Sequence, residues 1–446
     1  MDIKIDLPRD VKFILKELNK YGLGLLVGGS IRDILLGVEP NDFDFATNIK
    51  YNELLEIFKN FSPKEIGKDF GIIQIKINGI HYEIAKFRQD GQYSDNRRPD
   101  SVKFVNSFYE DASRRDFSVN AMGYDGNVLY DFFNGQADLK EGIIRFVGNG
   151  ETRIKEDSLR MLRAIRFLTK SKDFKLHNYT YEDVYYNSPL IKNISPERIR
   201  MELDKILVSN LPSKGFKILQ DTGLLKHIIP ELDICKEFNQ NNSHHDKDLF
   251  EHTMVVLDNT EPNLVTRLSA LFHDIGKPDT HSKDDNGESH YYLHHKVSAD
   301  MSEDIMKRLK YDNDTINKVK RLIYNHMNKS DRQSDKSIKK FINRVGKENL
   351  DMMFDLLKSD IIGHKPPHNF ESLNELKSKC NNFLSEKEPT TRFELEIKGK
   401  DIIKLGFKQG KIIGEILENC MDLVLDNPKL NNKEDLIRFV KNKYKL

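Results

Sequence analysis

Asp42 and Asp44 stand two residues apart in the run Asp42-Phe43-Asp44-Phe45, nine residues after Gly28-Gly29-Ser30-Ile31-Arg32-Asp33. On a strand, period-two alternation puts both carboxylates on one face. Two carboxylates side by side repel unless a divalent cation lies between them. Mg²⁺ takes oxygen ligands and favours one or two carboxylates plus substrate phosphates. The glycine pair lets backbone N–H groups come close to phosphate. Together the two halves imply a nucleoside triphosphate site and a metal-assisted displacement at phosphorus. Either half alone reads as a turn followed by a polar edge strand.

Arginines supply the next layer. Arg97-Arg98-Pro99-Asp100 follows the polar loop 90–96, and Arg114-Arg115-Asp116-Phe117-Ser118-Val119-Asn120-Ala121-Met122 comes after it. Arginine doublets beside a triphosphate site suit phosphate neutralisation by bidentate, permanently charged donors. Downstream, Asp157, Arg160, Arg163 and Arg166 recur every three residues in a helical pattern. On a helix, i and i+3 are neighbours, so Asp157 and Arg160 can address one object. A carboxylate only accepts and a guanidinium only donates. Cytosine and adenine both present an amino donor next to a ring acceptor, which fits this pair. Uracil and guanine present the reverse order and oppose both side chains. Such a pair selects C and A without a nucleic-acid template, because a mismatched base leaves buried polar groups unpaired. The plain alternative is an i, i+3 salt bridge on a helix surface.

A second constellation occupies residues 250–365. His252, the doublet His273-Asp274, His294-His295, His326 and Asp360 all fall on or near predicted helices. Imidazole and carboxylate suit a transition metal held in the core of a helical bundle. A His-Asp doublet with histidines upstream and downstream requires at least two helices to converge on it.

The elements that must position these groups differ along the chain. Apolar runs at 24–27, 72–77, 80–87 and 102–105, punctuated by Gly and Asn-Gly, predict strands, with helices at 8–20, 31–37 and 51–60. After residue 140 nearly every long segment, such as 155–170, 197–208, 250–260, 296–309 and 314–328, has helical periodicity. The polar stretches 237–248, 281–290 and 384–392 read as seams. At 446 residues, three or so domains are expected. Charged residues make up 32% yet the net charge is only +1, which argues against a whole-surface nucleic-acid binder and leaves room for local basic patches. Residues 398–446 hold eleven Lys/Arg against seven Asp/Glu, suited to phosphate contacts on an RNA helix. Three dispersed cysteines suit a reducing compartment. The polar start MDIKIDLPRD carries no signal peptide, and no window is apolar enough for a membrane span.

The motifs GGSIRDILLG, DFDFAT and RRDFSVNAM resemble the head of class II tRNA nucleotidyltransferases, the CCA-adding enzymes, in the superfamily of DNA polymerase β and bacterial poly(A) polymerase. EDSLRMLR resembles that family's EDxxR base-reading motif, PERIRMEL its ERIxxEL motif, and YSDNRRPD its flexible loop. The histidine set resembles the HD-domain metal-dependent phosphohydrolases. The resemblance implies an α+β multidomain fold: a polymerase-β-like head of mixed sheet and helices at 1–139, an all-α neck at 140–208, an HD-type body at 209–385 and a helical, tRNA-contacting tail at 386–446. It further implies Asp42 and Asp44 as catalytic Mg²⁺ ligands, with Gly29, Arg32, Arg115, Asp157, Arg160, Arg163 and Arg166 contacting nucleotide. His252, His273, Asp274 and Asp360 match the minimal HD ligand set, and His294 and His326 the extra ligands of two-metal members, for a divalent transition metal. The implied activity is template-independent CCA addition to tRNA from CTP and ATP, in the cytoplasm, with an accessory phosphohydrolase and no protein partner. Poly(A) polymerisation, partial CC or A addition, and an HD phosphohydrolase with a nucleotide-binding head are the alternatives.

Overall fold

The computed structural model describes residues 5–445 apart from 92–98, 239–247, 286–288, 328–333, 386–388 and 390–391. The chain divides into two compact units, Met1–Pro230 and Glu231–Leu446.

In the first unit, α1 (Arg9–Leu18) buries Val11, Ile14, Leu15 and Leu18 on one stripe. Five strands follow: β1 (Gly24–Val27), β2 (Asp44–Thr47), β3 (Lys64–Gly67), β4 (Ile72–Ile77) and β5 (Ile80–Lys86). They form a seven-stranded mixed sheet in the order β3-β4-β5-β2-β1, continued by Gly123–Tyr124 and Leu129–Tyr130. Only β2 and β5 run parallel; the other neighbours are antiparallel. The β4–β5 turn is Asn78-Gly79, both at positive φ, as a two-residue hairpin of matching twist requires. Val102–Phe104 does not join this sheet. It pairs with Arg88–Asp90 in a separate ribbon. Register does the positioning. Val27 pairs with Asp44 on one side and with Gly123 on the other. The glycines after β1, the carboxylates that open β2 and the 114–122 segment that leads into Gly123 therefore meet at one end of three adjacent strands.

The segment 155–170, read from periodicity as one helix, is two. Helix Gly150–Glu156 ends at Asp157, whose φ of −146° and ψ of 102° are extended. A new helix runs from Arg160 to Leu168 and buries Met161, Leu162, Ala164, Ile165, Phe167 and Leu168. The Asn149 side chain caps the first by accepting from the Thr152 N–H. Helix Pro196–Leu207 packs against Arg160–Leu168.

The second unit is helical. Asp248, Asn263 and Asp312 cap Leu249–Asn259, Leu264–Phe272 and Asn313–Asn325 through side-chain oxygens that accept from the third helical N–H. Helices His294–Arg308 and Leu350–Gly363 complete the bundle. The stretch read as a seam at 281–290 holds an antiparallel hairpin, His281–Lys283 with Ser289–Tyr291. Its aromatic sides pair, His281 stacking on Tyr291, which a polar composition does not reveal. The last helices, Gly399–Lys404, Lys411–Asp426 and Lys433–Tyr444, close over Ile402, Ile416, Cys420, Val424, Leu436 and Val440. Among the described residues no helix is long and apolar enough to cross a membrane.

Candidate functional site

A cavity of about 580 Å³ opens in the first unit. Its wall includes every residue expected there: Gly29, Arg32, Asp42, Asp44, Arg115, Asp157, Arg160, Arg163 and Arg166. Asp44 is the first residue of β2, and Asp42 lies just outside the strand. Both are exposed to the opening. Burial of the carboxyl within the wall raises the Asp44 pKa to about 6, with the charges of Asp42 and Glu83 adding to it and Arg115 opposing. A carboxyl that resists ionising at Asp44, with Asp42 beside it and oxygen donors only, fits a hard divalent cation.

The arginines are fixed before any ligand arrives. Arg32 is 5% exposed. Its Nη1 donates to Asn120 Oδ1 at 2.6 Å, and its Nε and Nη2 donate to Asp33 Oδ1 at 2.9 and 2.7 Å. Arg115 donates through Nη2 to Asp111 Oδ2 at 3.0 Å, while Arg114 takes Asp111 Oδ1 at 2.7 Å. Burial pushes the Asp111 pKa up, but the two guanidinium charges prevail and hold it below the usual carboxylate range. The glycines serve this arrangement. Gly28 has a φ of +77°, and a Cβ added there would lie 3.4 Å from Arg115 Nη1; one on Gly29 would lie 3.4 Å from Arg32 Nη2.

The remaining wall comes from the broken helix. Asp157 and Arg160 are not successive turns of one helix, since Asp157 sits in the extended break. The break still aims both into the cavity. Asp157 is gripped by Arg198, with Nη1 to Oδ1 at 3.2 Å and Nη2 to Oδ2 at 2.8 Å. Arg160 Nη1 reaches Glu156 at 2.6 Å and the Arg153 carbonyl at 3.1 Å. Arg163 binds Asp116 Oδ2 through Nε and Nη2 at 2.9 and 2.5 Å. Although burial raises the Asp116 pKa, Arg163 and Asn120 bring it down to about 2. Arg166 Nε donates to Glu202 at 2.6 Å. Asp116, Asn120, Phe167 and Arg198 also line the cavity. The sequence places Arg198 and Glu202 inside a recognisable motif, but their pairing across two helices is tertiary and leaves no local signature. Arg97, Arg98 and most of the loop 93–100 lie outside the described residues.

The second unit gathers the histidines. His252, His273 and Asp274 bring one ligand atom each within 4.8 Å of one another, and so do Asp274, His294 and His326. Asp274 is shared. Its Oδ2 lies 3.5 Å from His252 Nε2 and 3.2 Å from His273 Nε2; its Oδ1 lies 3.1 Å from His294 Nε2 and 3.6 Å from His326 Nε2. Asp360 Oδ1 closes the first group at 3.3 Å from His252 and 3.5 Å from His273. The Nδ1 atoms of His273, His294 and His326 meet the carbonyls of Ala270, Tyr291 and Ile323 at 2.7–2.9 Å. Those partners fix the tautomer and leave Nε2 facing the centre. Burial alone would push the His273 pKa down; Asp274 and Asp360 outweigh it and carry it up to about 10. Two carboxylates, Asp274 buried and Asp360 half-buried, thus draw positive charge to this point, which suits a divalent metal bound by neutral imidazoles. Lys277, 2.7 Å from Asp274 Oδ2, and His364, whose ring lies 5.3 Å from His252, join the cluster without being singled out by the sequence pattern.

Three stretches of the chain match known families. Residues 25–145 match the "Poly A polymerase head domain", 173–235 the "Probable RNA and SrmB- binding site of polymerase A", and 248–358 the "HD domain". A CCA-adding enzyme of Ligilactobacillus salivarius (strain UCC118) is 33% identical over 437 residues, covering 96% of this chain and 95% of its own. The crystal structure of the Bacillus stearothermophilus CCA-adding enzyme in complex with CTP aligns with a TM-score of 0.70 over 98% of both chains, at 23% identity. The Thermotoga maritima CCA-adding enzyme complexed with tRNA_CCA aligns with a TM-score of 0.58 over 99% of this chain and 98% of its own, at 21% identity. At those identities the two structures speak for the fold: a polymerase-β-like head followed by helical domains.

Proposed function

The chain belongs to the CCA-adding enzymes, and from that premise we infer that it adds C, C and A in order to the 3′ end of tRNA, without a template, from CTP and ATP with release of pyrophosphate. The observation that carries the reading is the single cavity in which the carboxylates of the sheet face the arginines of the broken helix. Both catalytic domains use divalent metal; at the head the oxygen-only donor set of Asp42 and Asp44 fits Mg²⁺. Bound there, Mg²⁺ would favour ionisation of the RNA 3′-hydroxyl and offset the charge of the triphosphate. Asp42 and Asp44 hold that position. Arg32 and Arg115 take phosphate and ribose, already oriented by Asn120, Asp33 and Asp111. Asp157 accepts from the base amino group and Arg160 donates to the ring acceptor, with Arg163 and Arg166 supporting. A carboxylate has about four lone-pair sites, so Asp157 can keep Arg198 and still accept from a base. The free, buried cysteines 235, 380 and 420 fit a reducing cytoplasm. The proposed division into head, neck, body and tail at 139, 208 and 385 gives the tail lysines to the tRNA backbone.

One assay tests the reading. A tRNA transcript ending before CCA is incubated with each nucleotide singly and in pairs. CTP alone should add two residues, ATP alone none, and the pair three before stopping. Run-on with ATP alone would mean a poly(A) polymerase; failure to pass two residues with both would mean a partial enzyme. The shared Asp274 favours a second activity, hydrolysis of a phosphate ester at the histidine centre, with a transition metal chosen by imidazole donors.

A further inference from the structure

Phe167 is 2% exposed, yet it lines the nucleotide cavity. Three cations surround its ring. The Arg32 guanidinium lies over it at 4.8 Å from the centroid, the Arg166 guanidinium at 4.5 Å and the Lys170 ammonium at 5.7 Å. Arg32 belongs to α2 (Gly29–Leu35), beside the sheet, and Arg166 to the helix after the break. These are like charges. Burial lowers the Arg166 pKa and Arg32 is among the charges that lower it further. Carboxylates offset only part of this: Asp33 serves Arg32 and Lys170, and Glu202 serves Arg166. An aromatic face is negative and attracts cations most strongly where water is excluded. The ring is itself held, edge-on, by Phe117 at 5.4 Å.

We propose that Phe167 is a positioning residue for nucleotide binding, its ring fixing the spacing of Arg32 and Arg166 before CTP or ATP enters. A cavity whose cations are set in place spends less of its binding free energy on ordering them. This rests on Arg32 and Arg166 contacting the nucleotide. The residue acts through those two arginines and touches no reacting atom.

The test separates ring electrostatics from ring volume. Phenylalanines carrying one, two and three fluorines are inserted at position 167 of the full-length enzyme by nonsense suppression. Each fluorine weakens the negative face and barely changes the shape. The KM for CTP and the equilibrium Kd for CTP should climb stepwise, by roughly tenfold over the series, while kcat changes by less than twofold and the melting temperature holds. Phe167→Tyr should behave as wild type. A flat KM and Kd across the fluorinated series, with Phe167→Leu impaired, would reduce Phe167 to a packing residue and overturn the proposal. Arg32→Ala and Arg166→Ala run alongside. If both keep wild-type KM and kcat, the assignment of those arginines to the nucleotide is what has failed, and the two failures are told apart.

Discussion

Asp44 meets acidic neighbours from two directions, Asp42 two residues upstream and Glu83 across the parallel β2–β5 register. Its pKa of about 6 lies above the ordinary 3.8. A carboxyl raised on folding contributes stability that is fully present below about 3.8 and lost as pH rises through about 6. At neutral pH the ionised Asp44 is therefore unfavourable until a cation joins it, and protons compete with that cation. Mg²⁺ affinity should fall as pH drops below about 6. Asp42→Asn should move the Asp44 titration, followed by carbonyl NMR in metal-free protein, part of the way down, since burial, the larger cause, still holds it above 3.8. Either Asp42→Ala or Asp44→Ala should reduce nucleotide transfer to less than a few per cent with the melting temperature retained, since neither side chain packs into the core. An Asp44 midpoint that ignores Asp42 would break the pairing. The two carboxylates and the glycine pair were legible because their chemistry is written in short spacings. Asp111 and Asn120, which hold the arginines in place, were not, because nothing local distinguishes a buried anchor from a surface acid or amide.

The break at Asp157 is where periodicity misled. Apolar residues recur at helical spacing on both sides of it, so 155–170 reads as one helix. The chain departs at Asp157, whose extended backbone lets its carboxyl reach Arg198 while Arg160 begins a new helix. Both assigned residues still line the cavity, so the donor–acceptor argument for C and A needs only their convergence. Asp157→Ala removes the acceptor for the base amino group and frees Arg198. The ratio of kcat/KM for CTP over UTP, on a tRNA lacking its CCA end, should fall by roughly 1–3 kcal/mol, the size of one good base-edge pair. An unchanged ratio would move selection elsewhere and leave Asp157–Arg198 as a helix-joining salt bridge. Hairpin and cap chemistry was readable for the opposite reason. Asn78-Gly79 and the Asp and Asn caps act within a few residues, where sequence and structure are the same scale.

Across the whole molecule the two metal-suited centres have no residue in common and belong to different compact units. The head offers exposed carboxylates; the histidine centre is buried, with His252 and His273 at 0% exposure. Hard oxygen donors and borderline imidazoles select different metals, so the two sites should be separable by chelation and by mutation. The ligand histidines were legible as types, but their convergence comes from four helices, and only the fold delivers Asp274 to both groups. Replacing His273 and Asp274 together by Ala removes a ligand of the first group and the carboxylate shared with the second. Elemental analysis of the purified full chain should then show transition metal lost from both groups. Hydrolysis of a generic phosphate monoester such as p-nitrophenyl phosphate should vanish if wild type performs it. CCA addition in Mg²⁺ should continue within about twofold of wild type. Because an uncompensated buried histidine cluster could itself destabilise the bundle, His273→Gln serves as the milder companion, keeping polarity while removing the Nε2 ligand. Metal content unchanged in both variants would leave a packed histidine cluster in which Asp274 and Asp360 are balanced by imidazolium charge. Loss of CCA addition with intact melting temperature would instead contradict the independence of the two units.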